Sequence, residues 1–428
     1  MGNNNRHKVV VVGGGFGGLW ATRSLRRADV DITLIDKRNF HLFQPLLYQV
    51  ATGALSPADI ASPIRGILAK QKNVTVQLGE MTGANLGDQY IIVDDMHVPY
   101  DSLIIATGSQ NHYFGNDNWS RFAPGLKTIE DALTIRSNLF VSFEKAERET
   151  NPEKRKQLMT FVIIGGGPTG VELAGALGEI ARITLRDNFR TIDPRESSIF
   201  LVEGADDILL MYDKKLRDSA RRSLEKLGVE VITGALARDL DEKGVAIKRD
   251  DDEFIIETTN IIWAAGVKPS PIGRLLAGED NLINNGQVKV NENLSLPDYP
   301  DVYVIGDLAY VAGKDNKPLP GNAPVAMSQG KYVAKKIRSD LKNEPIRPFK
   351  YRDKGTMAVI GRATAIANLG RINLSGYPAW LLWVFVHLMY LVEFDNRLVV
   401  FIQWAWNYFT RNRGARLITN DGTYTANN

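Results

Sequence analysis

At 428 residues, with 44% apolar and 24% charged side chains, the chain is too long for one ordinary core and has the composition of a folded protein of two or three domains. It contains no cysteine, which excludes structural disulfides, thiolate metal sites and every flavoenzyme mechanism that relays electrons through a cysteine pair or a sulfenic acid; no metal centre is expected. A net charge of +3 is too mild for the concentrated basic stripe of a nucleic-acid-binding protein.

The first eight residues, MGNNNRHK, are polar and run straight into a strand, so they hold no secretory apolar segment, and Arg6 stands where acylation of Gly2 would want Ser or Thr. The chain is expected to start in the cytoplasm. Residues 9–18 read VVVVGGGFGG, a β-branched run that ends in G-x-G-x-x-G (Gly13, Gly15, Gly18) and opens into a helix expected over 16–27. This order of strand, glycine turn and helix seats a pyrophosphate on a helix N-terminus. The next strand, DITLID, ends in Asp36, 23 residues after Gly13, where an acid accepts hydrogen bonds from an adenosine ribose. Residues 102–108, SLIIATG, form a third apolar strand that closes on glycine. Residues 129–157 show a long polar helix pattern ending in the charge run KAERETNPEKRKQ, read as a solvated helix end and linker.

The pattern then repeats. Residues 161–170, FVIIGGGPTG, place Gly165, Gly167 and Gly170 in a second G-x-G-x-x-G, 152 residues after the first, with a helix expected from about Pro168 to Ala181. SIFLVE ends in Glu203, 38 residues after Gly165, so IARITLRDNFRTIDPRE reads as an insertion. NIIWAAG at 260–266 matches SLIIATG and ends in Gly266. A repeat of whole domains is the economical reading, and two such sites imply two dinucleotides with electrons passed between them. An acid near each ribose, with no arginine in the GADD that follows Glu203, favours a cofactor without a 2′-phosphate; the diffusible one is expected to be NADH, not NADPH. Glu172, two residues past Gly170, is placed in the first turn of its helix. It either rests on the helix dipole or handles protons during reduction of a second substrate.

VYVIGDLAYV at 302–311 carries Gly306 and Asp307 and is expected to complete the first domain's sheet, which makes the second domain an insertion in the first. Asp307 either caps a helix or, as the Gly-Asp pair does in two-dinucleotide flavoproteins, contacts the ribityl and phosphate region of a flavin. From about residue 346 the style changes: GYPAWLLWVFVHLMYLV at 376–392 and LVVFIQWAWNYF after it hold four of the seven tryptophans (Trp380, Trp383, Trp404, Trp406). Arg371, Arg397, Arg411, Arg413 and Arg416 face only Glu393 and Asp395 there. The first run is short for a span and holds His387, so both segments fit helices lying in a bilayer surface, with indoles at headgroup depth and arginines on anionic lipid. A buried dimer interface is the other reading.

On these residues the chain resembles the type II NADH dehydrogenases, single-subunit NADH:quinone oxidoreductases of the two-dinucleotide-binding flavoproteins. The resemblance runs nearly end to end: the first glycine motif, FQPLLYQVATGALSP at 43–57, ATG at 106–108, GGGPTGVELAGAL at 165–177, WAAGVKP at 263–269, GD at 306–307 and the aromatic tail. It implies an α/β fold with two Rossmann-like domains, an FAD domain of residues 1–112 and 273–345, an NADH domain of residues 113–272 inserted in it, and an amphipathic membrane and quinone-access region over 346–428. Non-covalent FAD would lie on Gly13, Gly15, Gly18, Asp36, Thr107, Gly108 and Asp307, with Thr52 near the ring, and NADH on Gly165, Gly167, Gly170, Glu203 and Gly266. Glu172 matches a residue implicated in turnover. The implied reaction is two-electron reduction of a membrane quinone, ubiquinone or menaquinone, at the cytoplasmic face and without proton pumping; a homodimer stays open. Where the family often has an Ala-Gln pair beside the flavin ring, this chain has Ala323 followed by Pro324, which has no N–H donor, so the hydrogen bond would come from Gln329 or backbone. The rival readings are a soluble reductase serving a ferredoxin or rubredoxin, and a slow redox-sensing flavoprotein.

Overall fold

The computed structural model describes residues 6–278, 280–283, 285–313, 317–392, 394–410 and 413–418. Most of the N-terminal octapeptide, together with Arg411 and Glu393 of the tail's charge pattern, lies outside the described residues. By contacts the chain forms two compact units, residues 1–42, 61–110 and 267–353 in one, and residues 43–60, 111–266 and 354–428 in the other.

The first unit is built on a five-stranded parallel sheet ordered Val302–Val304, Ser102–Ile105, His7–Val12, Val30–Asp36, Val74–Leu78. The central strand is a run of valines because both faces of a parallel sheet are covered, and Val9 to Val12 are all buried. The strand at 302–304 pairs with Ser102–Ile105, so the chain does return to complete this sheet. One layer is the Phe16–Ser24 helix, three residues shorter than the pattern suggests, against the long Ala323–Asp340 helix. The two approach through glycine: a Cβ on Gly330 would overlap the Gly17 carbonyl.

The second unit repeats the sheet in four parallel strands ordered Val229–Thr233, Ser198–Glu203, Thr160–Ile164, Asn260–Trp263. The glycine-turn strand again lies between the strand that ends in an acid and the strand that ends in Ala-Ala-Gly. The polar pattern at 129–157 is two helices, Ile129–Arg148 and Pro152–Leu158, broken at Asn151, whose side chain caps the second. Only the second is solvated throughout; the first buries Ile135, Leu139, Phe140 and Phe143. Its exposed charges made it read as polar, but one face is core.

The Leu47–Ala51 helix packs on Ile129–Arg148, which is why residues 43–60 belong to this unit. Residues 356–376 form an antiparallel sheet of three strands, Thr356–Gly361, Thr364–Asn368 and Asn373–Gly376. The Pro168–Glu179 helix packs against it through Gly175, whose Cβ would overlap the Ile360 carbonyl. Two tail helices follow, Tyr377–Tyr390 and Phe394–Thr410.

Candidate functional site: two glycine turns and an aromatic cleft

In the first turn Gly13 has φ +102°, and its N–H donates to the Ile35 carbonyl at 2.8 Å. A Cβ there would overlap the Ala106 carbonyl, and one on Gly18 would overlap the Gly13 carbonyl, so both glycines serve close approach. Gly15 differs: it caps the Phe16–Ser24 helix and has nothing within 4 Å of where a Cβ would stand, which leaves the N-terminal N–H groups accessible. Asp36 accepts from Gly14 N–H at 2.5 Å and Arg38 N–H at 2.7 Å. Burial raises its pKa above the ordinary value, opposed by those two N–H groups.

The second turn reproduces the first atom for atom in kind. Gly165 has φ +111° and abuts Ala264 and Ala265, Gly170 abuts Gly165, and Gly167 caps its helix beside open space. Glu203 accepts from Gly166 N–H at 2.5 Å and Ala205 N–H at 2.8 Å. The inserted residues between Gly170 and Glu203 therefore leave the geometry unchanged.

The third strands of the two units end differently. Gly108, φ +67°, is open, whereas the Phe114 ring stands 2.9 Å from a Cβ on Gly266. Next to Gly108, the Thr107 hydroxyl is buried and has no hydrogen-bond partner among the described residues. Asp307 lies inside a one-turn helix whose cap residue is Ile305, which removes the capping reading; it accepts from Ser109 Oγ at 2.6 Å. Gln329 is buried, and its side-chain oxygen accepts from Gly306 N–H at 2.6 Å, holding the Gly306 turn at φ +75°. Pro324 sits in the first turn of a helix capped by Asn322, where a missing N–H costs nothing.

The second unit also holds a cleft of about 860 Å³ including its solvent-open mouth. Its walls are Tyr48 and Gln49, the Glu172, Ala176 and Glu179 face of the Pro168–Glu179 helix, residues 359–362, and the tail residues Trp380, Trp383, Trp404, Tyr408 and Arg413. Glu172 is in the second turn of its helix, whose first turn has no acid, so the dipole reading is corrected. Among the described residues its one donor is the Val359 N–H, at a long 3.4 Å, and burial pushes its carboxyl up to about 8. A dipole-stabilised carboxylate would move the other way. The same glutamate and burial raise the Tyr48 hydroxyl well above its ordinary value, burial being the larger cause.

Aromatic side chains set the rest of the wall. Trp383 and Trp404 have ring centres 5.1 Å apart, Trp404 donates to Gln49 at 2.8 Å, and the Arg362 guanidinium lies 4.2 Å from the Tyr408 ring centre. The tryptophans are thus mostly inward, against expectation: Trp383 is buried and only Trp406 is strongly exposed. Arg413 is also turned inward, onto Glu179. His387 Nδ1–H donates to the Trp383 carbonyl at 2.8 Å, and burial lowers its pKa to about 4, so it is neutral at pH 7.

Residues 7–330 match the pyridine nucleotide-disulphide oxidoreductase family model, and residues 354–412 match the NDH2 C-terminal domain, a match that stops one residue before Arg413. The chain is 43% identical to the type II NADH:quinone oxidoreductase Ndh of Mycobacterium tuberculosis, over 98% of this chain and 92% of that one, and 45% identical to NdhA of the same organism, over 98% and 91%. The chain belongs to the type II NADH:quinone oxidoreductases. It is an enzyme that oxidises NADH and reduces quinone. Its fold is also that of NDH2 from Plasmodium falciparum in complex with NADH, with a TM-score of 0.88 at 22% identity over 97% of this chain and all of that one.

For a type II NADH:quinone oxidoreductase, the residues that sequence reasoning missed are those of the cleft wall: Tyr48, Gln49, Glu179, Arg362 and Arg413. One signal was available, since Glu172 and Glu179 are seven residues apart and so share a face of an otherwise apolar helix. Thr52 was expected beside a flavin ring; here its hydroxyl donates to the Tyr48 carbonyl at 2.8 Å and accepts from Arg413 at 2.9 Å.

Proposed function

We propose that the first unit's glycine turn holds non-covalent FAD and the second holds NADH, with the aromatic cleft receiving the quinone. The FAD set is Gly13, Gly15, Gly18, Asp36, Thr107, Gly108 and Asp307, with Gln329 fixing the Gly306 turn. The open ground beside Gly15 and Gly108 and the unpartnered Thr107 hydroxyl fit a bound dinucleotide. Bound there, FAD would supply a two-electron relay between nicotinamide and quinone. The NADH set is Gly165, Gly167, Gly170, Glu203 and Gly266, in the domain division of residues 1–112 with 273–345, 113–272 and 346–428. Asp36 and Glu203 keep their outer lone pairs for ribose hydroxyls while their inner ones hold the turns.

Quinone reduction consumes two protons as well as two electrons. Glu172 is the group placed to give one: a neutral acid at pH 7 in an aromatic-walled cleft. That raised carboxyl inside a walled cleft is the observation that carries this reading. Above pH 8 the group is ionised and the donor is lost.

The tail then rests on the cytoplasmic face of the bilayer. No described helix is long and apolar enough to cross a membrane. The tail helices expose Leu381, Phe385 and Met389 at four-residue spacing, and Leu398, Ile402 and Trp406 at the same spacing, together with Phe409. Such stripes suit helices lying flat in the headgroup region, where a lipid-soluble quinone enters the cleft from the side. The reaction is accordingly read as running without proton pumping.

The test is a spectrum of the purified protein. Acid extraction releases FAD, NADH bleaches the flavin bands, and a ubiquinone or menaquinone analogue restores them. A protein that NADH bleaches but that only a ferredoxin or rubredoxin reoxidises would overturn the quinone assignment.

A further inference from the structure

Beyond the second tail helix, residues 413–418 turn back across the segment at 49–54. Ala415 N–H donates to the Gly53 carbonyl at 3.1 Å, and Gly53, at φ +66°, leaves only 3.2 Å between the Ala415 oxygen and the place of a Cβ. Arg413 makes the central contact. Its Nη1 donates to the Thr52 hydroxyl at 2.9 Å and its Nη2 to Glu179 Oε2 at 2.8 Å, and the two charged side chains are only 11% and 17% exposed. The other Glu179 oxygen accepts from the Arg362 N–H. Arg416 Nε donates to the Arg413 carbonyl at 2.9 Å, which fixes the strap's own backbone.

We infer that Arg413 is a positioning residue for the quinone half-reaction: one planar guanidinium ties the 52–53 turn to the second glutamate of the proton-handling helix and neutralises that glutamate inside the cleft. This rests on the cleft being the quinone site. Glu172 and Glu179 lie on one face of the Pro168–Glu179 helix, and Arg413 separates their roles. Glu179, paired at both oxygens, presents no free charge to an apolar quinone, while Glu172 has only the long Val359 N–H contact among the described residues. The fork shape matters, because a single ammonium cannot serve Thr52 and Glu179 together with two in-plane donors. Removing the guanidinium would leave the Glu179 carboxylate buried beside the substrate with one backbone donor. The same contacts place the strap at the end of the membrane-facing helix, so the seating of that helix and the shape of the cleft floor are set together.

The experiment uses the flavin-loaded full chain in stopped flow. One arm follows bleaching by NADH, and the other follows reoxidation by a short-chain ubiquinone analogue. Arg413→Met is expected to slow reoxidation about tenfold more than it slows bleaching, as fits a buried pair broken on one side. Glu179→Gln in the Arg413→Met background is expected to recover part of that loss, because the stranded charge is gone. Should Arg413→Met fail to fold, Arg413→Lys decides, with an expected loss of about threefold from the missing fork. Reoxidation at the wild-type rate in these variants, with Glu172→Gln impaired, overturns the inference. So does equal slowing of both arms. An unimpaired Glu172→Gln would instead overturn the assignment of the cleft.

Discussion

The glycine turns and the aromatic cleft hold their carboxylates in opposite ways. Asp36 and Glu203 each accept two backbone N–H groups, so each is built into the loop it orders. Glu172 has one long backbone contact and stands half-buried on the cleft wall, where desolvation governs it. The first arrangement is rigid, as the proposed acceptance of ribose hydroxyls requires. The second makes an acid that keeps its proton at neutral pH, with a pKa near enough to that pH for the proposed transfer. One chain thus uses similar side chains for holding and for transfer, and the surroundings alone decide which.

Breaking the turns should give the largest effect. Gly170→Ala puts a Cβ onto the Gly165 carbonyl oxygen and must move the helix whose N-terminus is proposed to receive the pyrophosphate. The expected result is a fall in kcat/KM for NADH of at least about 100-fold, from a misplacement near 1 Å. Glu172→Gln should lower quinone turnover about 100-fold, the size of a lost general acid, while bleaching by NADH changes little. Equal effects on both half-reactions would place Glu172 with the structural carboxylates. Glu203→Ala removes the acceptor of Gly166 and Ala205 as well as the proposed ribose contact, and should raise the KM for NADH about tenfold. An unchanged KM would leave Glu203 as a loop fastener only. Phe409→Ser, on the exposed stripe, should weaken binding to vesicles of mixed phosphatidylglycerol and phosphatidylethanolamine about fivefold with both half-reactions intact in detergent; unchanged vesicle binding would move the membrane contact elsewhere.

The same contrast explains what could be read in the sequence. The turns are local: a β-branched strand, three glycines and an acid at the next strand's tip carry their own geometry, so Gly13, Gly165, Asp36 and Glu203 were all legible. Even the 38-residue interval before Glu203 did not matter, because parallel pairing of Thr160–Ile164 with Ser198–Glu203 restores the register. Glu172 was legible as a position but not as an environment. Its burial comes from Val359 and from tail residues some two hundred positions later, and no local pattern encodes that. For the tail tryptophans the error had a physical source: indole suits a membrane interface and an aromatic wall equally well. Sequence shows the indoles at 380, 383, 404 and 406 but not that the first three turn inward onto the cleft. Arg413 read as one more surface cation because its partner, Glu179, stands 234 residues earlier.

The central claim is that Glu172 is a proton donor set by burial, and its pH dependence tests this most directly. Burial raises the carboxyl to about 8, so the donor is present below that pH and is lost as pH rises through it. Reoxidation of NADH-reduced enzyme by a short-chain quinone, followed from pH 6 to 9.5, should fall with an apparent pKa near 8 in the wild type. In Glu172→Gln it should be slow and flat across that range. A falling limb of the same midpoint in the variant would assign the titration to another group and contradict the account.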